Sequence, residues 1–146
     1  KQAGKKLVIA GQGPFESTLR NLARGSNVQF EIAPNDARWT ELIAGAEALL
    51  FPGVEDFGMV PVEAMALGTP VIAFKQGGAL DYITPGVNGE FFTLADSKPL
   101  AECLLSFDRS RYKEEDLQAT AARFSKEIFL EKMRRAIADL MERKDV

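Results

Sequence analysis

The chain has 146 residues, 46% of them hydrophobic, and a formal net charge of -3, which fits a single globular domain over residues 1–146. Its cationic residues form no run longer than pairs such as Lys5-Lys6 and Arg134-Arg135, so the electrostatic footprint of a nucleic-acid binder is missing. With one cysteine and no histidine, an internal disulfide, a Ser-His-Asp triad and the common zinc sites are excluded.

The N-terminal stretch "KQAGKKLVIAG" has no initiator methionine and no signal-peptide pattern, and its apolar run is far too short to span a bilayer. It reads as a cut upstream of a strand, and a chain cut in this way can carry half of an active site. From Lys6 onward, short β-branched runs alternate with helix-like stretches, the pattern of βαβ units in an open, mainly parallel Rossmann-like α/β sheet with flanking helices. Five strands are expected: "KLVIA", "VQFEI", "EALLF", "PVIAF" and "EFFTL". The third and fourth are almost continuously apolar, as buried parallel strands are.

Between the strands, Asn35 or Asp36 can cap "ARWTELIAGA", and Gly68 follows "VEAMAL" just before Thr69-Pro70, a helix stop. "TPGVNGE" is a turn cluster in which Gly86 and Gly89 are free to take positive φ. Three C-terminal helices are expected in "KPLAECLLSF", "KEEDLQATAARF" and a last one over about residues 125–143. Cys103, in the first of these, reads as a small buried hydrophobe. In the last, Phe129, Met133, Ile137 and Leu140 recur at helical spacing, a stripe read as core contact, with part of it free to face a further domain.

Two glycine turns lie at carboxyl ends of strands, where open α/β sheets bind ligands. In "VIAGQGPFE", Gly11, Gly13 and Pro14 make a tight strand-to-helix turn that either serves backbone angles alone or leaves a flat wall for a nucleotide. A dinucleotide fingerprint would need glycine where Glu16 stands, and a carboxylate at that helix start opposes a pyrophosphate; Glu31, at the spacing of the ribose-binding acid, does not rescue the motif. The second turn, "KQGGAL", permits close ligand approach or is a plain loop.

The stretch "FPGVEDFGMVPVEAMALGTPVIAF" sets Glu55 and Glu63 eight positions apart. Pro61 suits the first turn of a helix running to Leu67, and Glu63 is expected in that turn. Taken singly, Glu63 complements the helix dipole by about 0.3 to 1 kcal/mol and Glu55 is a solvated loop acid. Together they flank the backbone N–H groups of Gly58, Met59 and Val60, which open the helix and form an anion site. Carboxylates beside a phosphate repel it, so their targets are neutral hydroxyls, each charge-assisted bond being worth about 1.5 to 3 kcal/mol.

This E-x7-E pattern, with Phe57-Gly58 inside it and followed by "EAMALGTPVIA", "GGALDYI" and "GVNGEFF", resembles the donor-binding half of the retaining GT-B glycosyltransferases of the family that includes sucrose synthases and bacterial mannosyltransferases. The similarity runs from about Lys6 to about Leu105, and its finer match is to mannosyltransferases that use GDP-mannose. The resemblance implies that Glu55, the catalytic candidate, touches hydroxyls of the transferred sugar and that Glu63 accepts bonds from the ribose diol. Phe57, Gly58, Met59 and Val60 would hold sugar and diphosphate, while Gly11, Gly13, Pro14 and the strand end near Ile32-Ala33 would border the base.

The same resemblance implies a nucleotide sugar as substrate with no further cofactor. It also implies a glycan or lipid-linked acceptor bound through a separate N-terminal domain, and a cytoplasmic parent enzyme, peripheral at the membrane. No Asp-x-Asp pair occurs in the chain, in keeping with a metal-independent site. Two departures stand out. No upstream arginine and lysine pair can be assigned to the leaving diphosphate, since Lys5 and Lys6 adjoin the first strand, and Asp81 stands where the family often has glutamate. The rival readings are a non-catalytic nucleotide-binding module and a GT-B-like epimerase, which usually relies on histidine or further carboxylates.

Overall fold

A computed structural model describes residues 3–93 and 96–142. Five strands alternate with helices in the expected order: β1 Leu7–Ala10, α1 Glu16–Leu22, β2 Val28–Glu31, α2 Asp36–Ala44, β3 Leu49–Phe51, α3 Met59–Ala66, β4 Val71–Phe74, α4 Ala79–Tyr82 and β5 Gly89–Phe92. Helices α5 Ser97–Ser106, α6 Glu114–Ala122 and α7 Lys126–Glu142 follow, with a 3-10 turn at Arg109–Arg111 that the sequence pattern does not announce. Every strand pairing is parallel. Each expected strand loses a residue or two at its ends, and β5 starts at Gly89 rather than Glu90. The last position of the expected fifth strand, Leu94, and the end of the expected last helix, residue 143, lie outside the described residues.

The strands pair in two ladders, β1 with β2 and β3-β4-β5 with β4 in the middle. Between them, the Lys5 ammonium, just before β1, pairs with the Glu47 carboxylate, just before β3, at 2.5 Å. β4 is buried along its whole length, and period-2 alternation sends its side chains into two cores. Val71 and Ala73 join Ala64 and Met65 of α3, Tyr82, Ile83 and Tyr112, and Leu117 and Ala121 of α6. Ile72 and Phe74 join Phe92 on the other face, over Leu100, Cys103 and Leu104 of α5. Cys103 packs against this core as read but is only half-buried, and burial, with the nearby Glu90 charge, raises its thiol pKa.

Local signals account for several element ends. Asn35, not Asp36, caps α2, its Oδ1 accepting from the Arg38 N–H at 2.9 Å. Gly68 takes φ 79 after α3, the left-handed stop that glycine alone adopts cheaply. Gly89 departs from expectation: it has no positive φ, and its bareness serves space instead, since a Cβ there would stand 2.1 Å from the Val71 carbonyl oxygen of the neighbouring strand. A buried network ties the turn before β5 to α6: the Asn88 amide donates to the Tyr82 carbonyl at 2.8 Å and to Thr120 Oγ1 at 3.0 Å, while its Oδ1 accepts from the Thr84 N–H at 2.7 Å.

The stripe on α7 corrects the core reading. Phe129, Met133, Ile137 and Leu140 are all exposed, Leu140 by 62%. Helical periodicity shows that a face is apolar but not what covers it, and α7 has no buried residue.

Candidate functional site

The glutamate-bearing stretch follows β3 as an exposed loop and then forms α3. The helix begins at Met59, because Gly58 caps it with φ 80 and ψ 87. Pro61 is therefore the third helical residue, where its missing N–H costs nothing, since the first four N–H groups of a helix have no intrahelical acceptor. Glu63 is the fifth, so it lies beyond the first turn, against expectation, and α3 has no acidic residue in its first turn. Met59 and Val60 hold the first two helical positions, as the anion-site reading requires.

From one turn inside α3, the exposed Glu63 lines a cavity of about 620 Å³ together with Val60, Ala66 and Leu67 of the same segment, Pro34 after β2, and Asp36, Trp39, Thr40 and Ile43. The end of the second strand thus meets the glutamate helix. Ile32 beside it is 43% exposed, and Ala33 is held at φ 45, a left-handed conformation that an L side chain adopts only at a cost. Neither Glu55 nor Gly11, Gly13 or Pro14 lines this cavity. Gly11 has φ 128, and its N–H donates to the Glu31 carbonyl at 3.0 Å, which keeps the first glycine turn beside the end of β2. Gly13 has no positive φ, so the backbone-angle reading holds for Gly11 alone.

Glu31 is engaged elsewhere: its carboxylate takes bonds from Arg38 and Gln29, both at 2.7 Å, and the Arg38 bond holds its pKa below the usual carboxylate range. Glu16 pairs with Arg20 at 2.8 Å.

Glu55 is exposed, and its backbone is anchored. The Gly78 N–H donates to the Glu55 carbonyl at 2.8 Å. A Cβ on Gly77 would stand 2.5 Å from that same carbonyl oxygen, and one on Gly78 would stand 2.4 Å from the Asp56 carbonyl oxygen and 2.6 Å from Phe57 Cα. The glycine pair of "KQGGAL" therefore makes room for the glutamate loop. Phe57 packs edge-on against Tyr82 and Phe124, with centroids 5.9 and 5.4 Å away, and Tyr82 meets Phe124 at 5.9 Å. The Tyr82 hydroxyl donates to the Phe57 carbonyl at 2.9 Å. Burial, with the charges of Glu55 and Asp81, pushes its pKa up to about 12, so it keeps its proton at neutral pH. Trp39, Tyr82 and the use of Gly77-Gly78 escaped the sequence reading. The one available signal was a glycine pair followed closely by an aromatic residue.

Parallel strands, paired in two ladders rather than the single sheet expected, with glycine turns and an anchored acidic loop at their carboxyl ends, define a Rossmann-like ligand-binding unit. The chain belongs to the family described as Glycosyl transferases group 1, whose sequence pattern matches residues 1–128. Among curated relatives, the GDP-mannose-dependent monoacylated alpha-(1-6)-phosphatidylinositol monomannoside mannosyltransferase of Corynebacterium glutamicum is 36% identical over 110 residues, covering 68% of this chain and 29% of the relative. Human alpha-1,3/1,6-mannosyltransferase ALG2 is 32% identical over 158 residues, 92% of this chain and 36% of the relative. The chain thus spans about a third of the length of these proteins. Among solved structures, the lipopolysaccharide outer core galactosyltransferase WaaB superposes with a TM-score of 0.79 at 26% identity, over 92% of this chain and 40% of that one. Anabaena Alr3699/HepE in complex with UDP-glucose gives 0.69 at 26% identity, over 94% and 40%. Both likenesses are of α/β architecture with parallel strands and flanking helices, as expected for this chain.

Proposed function

We propose that the chain is the nucleotide-sugar-binding half of a retaining hexosyltransferase, with mannose from GDP-mannose as the transferred group and a glycan or lipid-linked hydroxyl as acceptor. The observation that carries this reading is the meeting of Glu63, Val60 and Pro34 around one cavity that runs along α3 from Val60 to Leu67, with the backbone of residues 57–59 next to Val60 in the chain but outside the cavity lining. A carboxylate, an anion-attracting helix start and the end of a parallel strand are the three parts that a ribose, a diphosphate and a base require. Further support comes from the GDP-mannose dependence of the Corynebacterium relative and from the UDP-glucose held by Alr3699/HepE. In this reading Glu63 accepts bonds from the ribose diol, Glu55 accepts bonds from the sugar hydroxyls, and the backbone of residues 57–60 takes the diphosphate.

Transfer with retention then proceeds on one face of the sugar. The acceptor oxygen bonds to the anomeric carbon as the bond from that carbon to the phosphate oxygen breaks, and the acceptor proton passes to the departing phosphate. The start of α3 stabilises the charge that develops on that phosphate. No histidine is needed, and the lack of an Asp-x-Asp pair suits a site without a divalent metal. The parent acts at the cytoplasmic face of a membrane, a placement supported by the phosphatidylinositol monomannoside on which the Corynebacterium relative acts. No described helix is long and apolar enough to cross a membrane.

Calorimetric titration with GDP-mannose, UDP-glucose, UDP-N-acetylglucosamine, GDP and UDP tests the assignment. Binding of GDP-mannose, weakened about tenfold or more in Glu63→Ala by loss of a charge-assisted bond, is the expected result. Binding of none of the five, with Glu63→Ala changing nothing but stability, refutes it.

A further inference from the structure

The segment that opens α3 is set by one hydroxyl beneath it. Tyr82 is 2% exposed, and its Oη lies 2.9 Å from the Phe57 carbonyl oxygen and 3.4 Å from that of Gly58. In a planar trans peptide the C=O and N–H bonds point in opposite directions. Carbonyls of residues 57 and 58 turned toward Tyr82 therefore turn the N–H groups of Gly58 and Met59 away from it. Gly58 adopts φ 80 to allow this, and a Cβ there would stand 2.9 Å from the Tyr82 hydroxyl and 3.0 Å from Phe51 Cζ. The ring cannot drift, because Phe57 and Phe124 both pack edge-on against it. Tyr82 ends α4, which begins immediately after the Gly78 whose N–H holds the Glu55 carbonyl. One short element thus grips the glutamate loop twice.

We propose that Tyr82 is a positioning residue for donor binding: by fixing the Phe57 and Gly58 carbonyls, its hydroxyl aims the Gly58 and Met59 N–H groups at the donor's diphosphate. The inference rests on the donor-site reading above and adds to it a residue that touches no part of the donor. A purely structural tyrosine would affect nucleoside and nucleotide alike, whereas a positioning tyrosine affects only ligands that carry phosphate.

The test is Tyr82→Phe, which keeps the ring among its aromatic neighbours and removes only the hydroxyl. Affinities for GDP, guanosine, UDP and uridine are measured by calorimetry for the wild type, Tyr82→Phe and Glu63→Ala. In Tyr82→Phe, affinity for the preferred diphosphate falls about tenfold, the worth of one misaligned charge-assisted bond, while the matching nucleoside binds as before. In the wild type, the backbone amide resonances of Gly58 and Met59 shift on addition of that diphosphate but not of the nucleoside, a readout independent of how the variant folds. If Glu63→Ala weakens the diphosphate and Tyr82→Phe leaves it within twofold, the positioning role alone is wrong. Gly58 and Met59 amides that ignore the diphosphate also overturn it. If the wild type binds neither GDP nor UDP, the donor-site reading and this inference fall together.

Discussion

Replacing Gly78 by alanine probes how the acidic loop is held. Gly78 has φ -60, so alanine meets no backbone penalty there, and the whole effect is one of space. The new Cβ would stand 2.4 Å from the Asp56 carbonyl oxygen, 2.6 Å from Phe57 Cα and 2.7 Å from the Phe57 carbonyl oxygen. All three are backbone atoms, so relief requires the loop carrying Glu55 to retreat by roughly 1 Å, at a cost of about 1 to 3 kcal/mol as for other overpacked sites. For a chain of this size that corresponds to a fall in melting temperature of roughly 3 to 12 °C. On the donor-site reading proposed above, a displacement of about 1 Å at the Glu55 loop is worth on the order of 100-fold in rate, so kcat/KM of the complete enzyme falls far more than stability does. Gly53→Ala, in the same loop but with nothing within 4 Å of the added carbon, is the matched control and is expected to melt within about 2 °C of wild type. Thermal melts and donor titrations on both variants decide the matter. A Gly78→Ala protein with wild-type melting and wild-type donor affinity would refute the claim that the glycine pair exists to seat the loop.

Three further outcomes follow from the packing. Asn88→Leu strands the Tyr82 carbonyl in a buried setting and the Thr84 N–H in a partly buried one, so chemical denaturation is expected to show a loss of about 1 to 3 kcal/mol, and a loss under about 0.5 kcal/mol counts against the network. Ala33→Gly relieves the left-handed backbone after β2 and raises stability by about 0.5 to 1 kcal/mol, the strain relief outweighing the entropy that glycine brings; unchanged or lower stability contradicts that account. Both tyrosines of the chain, Tyr82 and Tyr112, have pKa values raised chiefly by burial, that of Tyr82 to about 12. A folded-state value above the unfolded one near 10 means that the stabilisation is complete below pH 10 and is lost as pH climbs toward 12. Ultraviolet titration is expected to show no tyrosinate at pH 10 while the protein stays folded, and ionisation of either residue there would refute the burial argument.

The fold was legible where short-range chemistry decides it. β-branched runs located the five strands to within a residue or two, and Asn35 and Gly68 marked helix ends because a side-chain cap and a left-handed stop are local devices. Pro61 falls in the first turn of α3 as expected, but the helix starts two residues before it, because the cap, Gly58, acts through a backbone angle that glycine permits but does not announce. That shift moved Glu63 out of the first turn and weakens its reading as a dipole partner, whose effect fades beyond that turn. The use of Gly77 and Gly78 was invisible for a different reason: their partners lie some 20 residues earlier in another loop, and only the folded chain brings the two together. The same limit explains α7, whose apolar stripe was found in the right place and assigned the wrong surroundings.

Because β1 and β2 form a ladder of their own, and no residue from 3 to 42 is buried while β4 is buried throughout, the two ladders need not melt together. Amide protons of the first βαβ unit are expected to exchange with solvent through local opening, and those of Val71–Phe74 only on global unfolding. The side of the pocket nearest Ile32-Ala33 therefore breathes against a stiff wall at α3. A ligand that spans both sides slows exchange in the first unit, and its residence time is governed by that unit's opening rate.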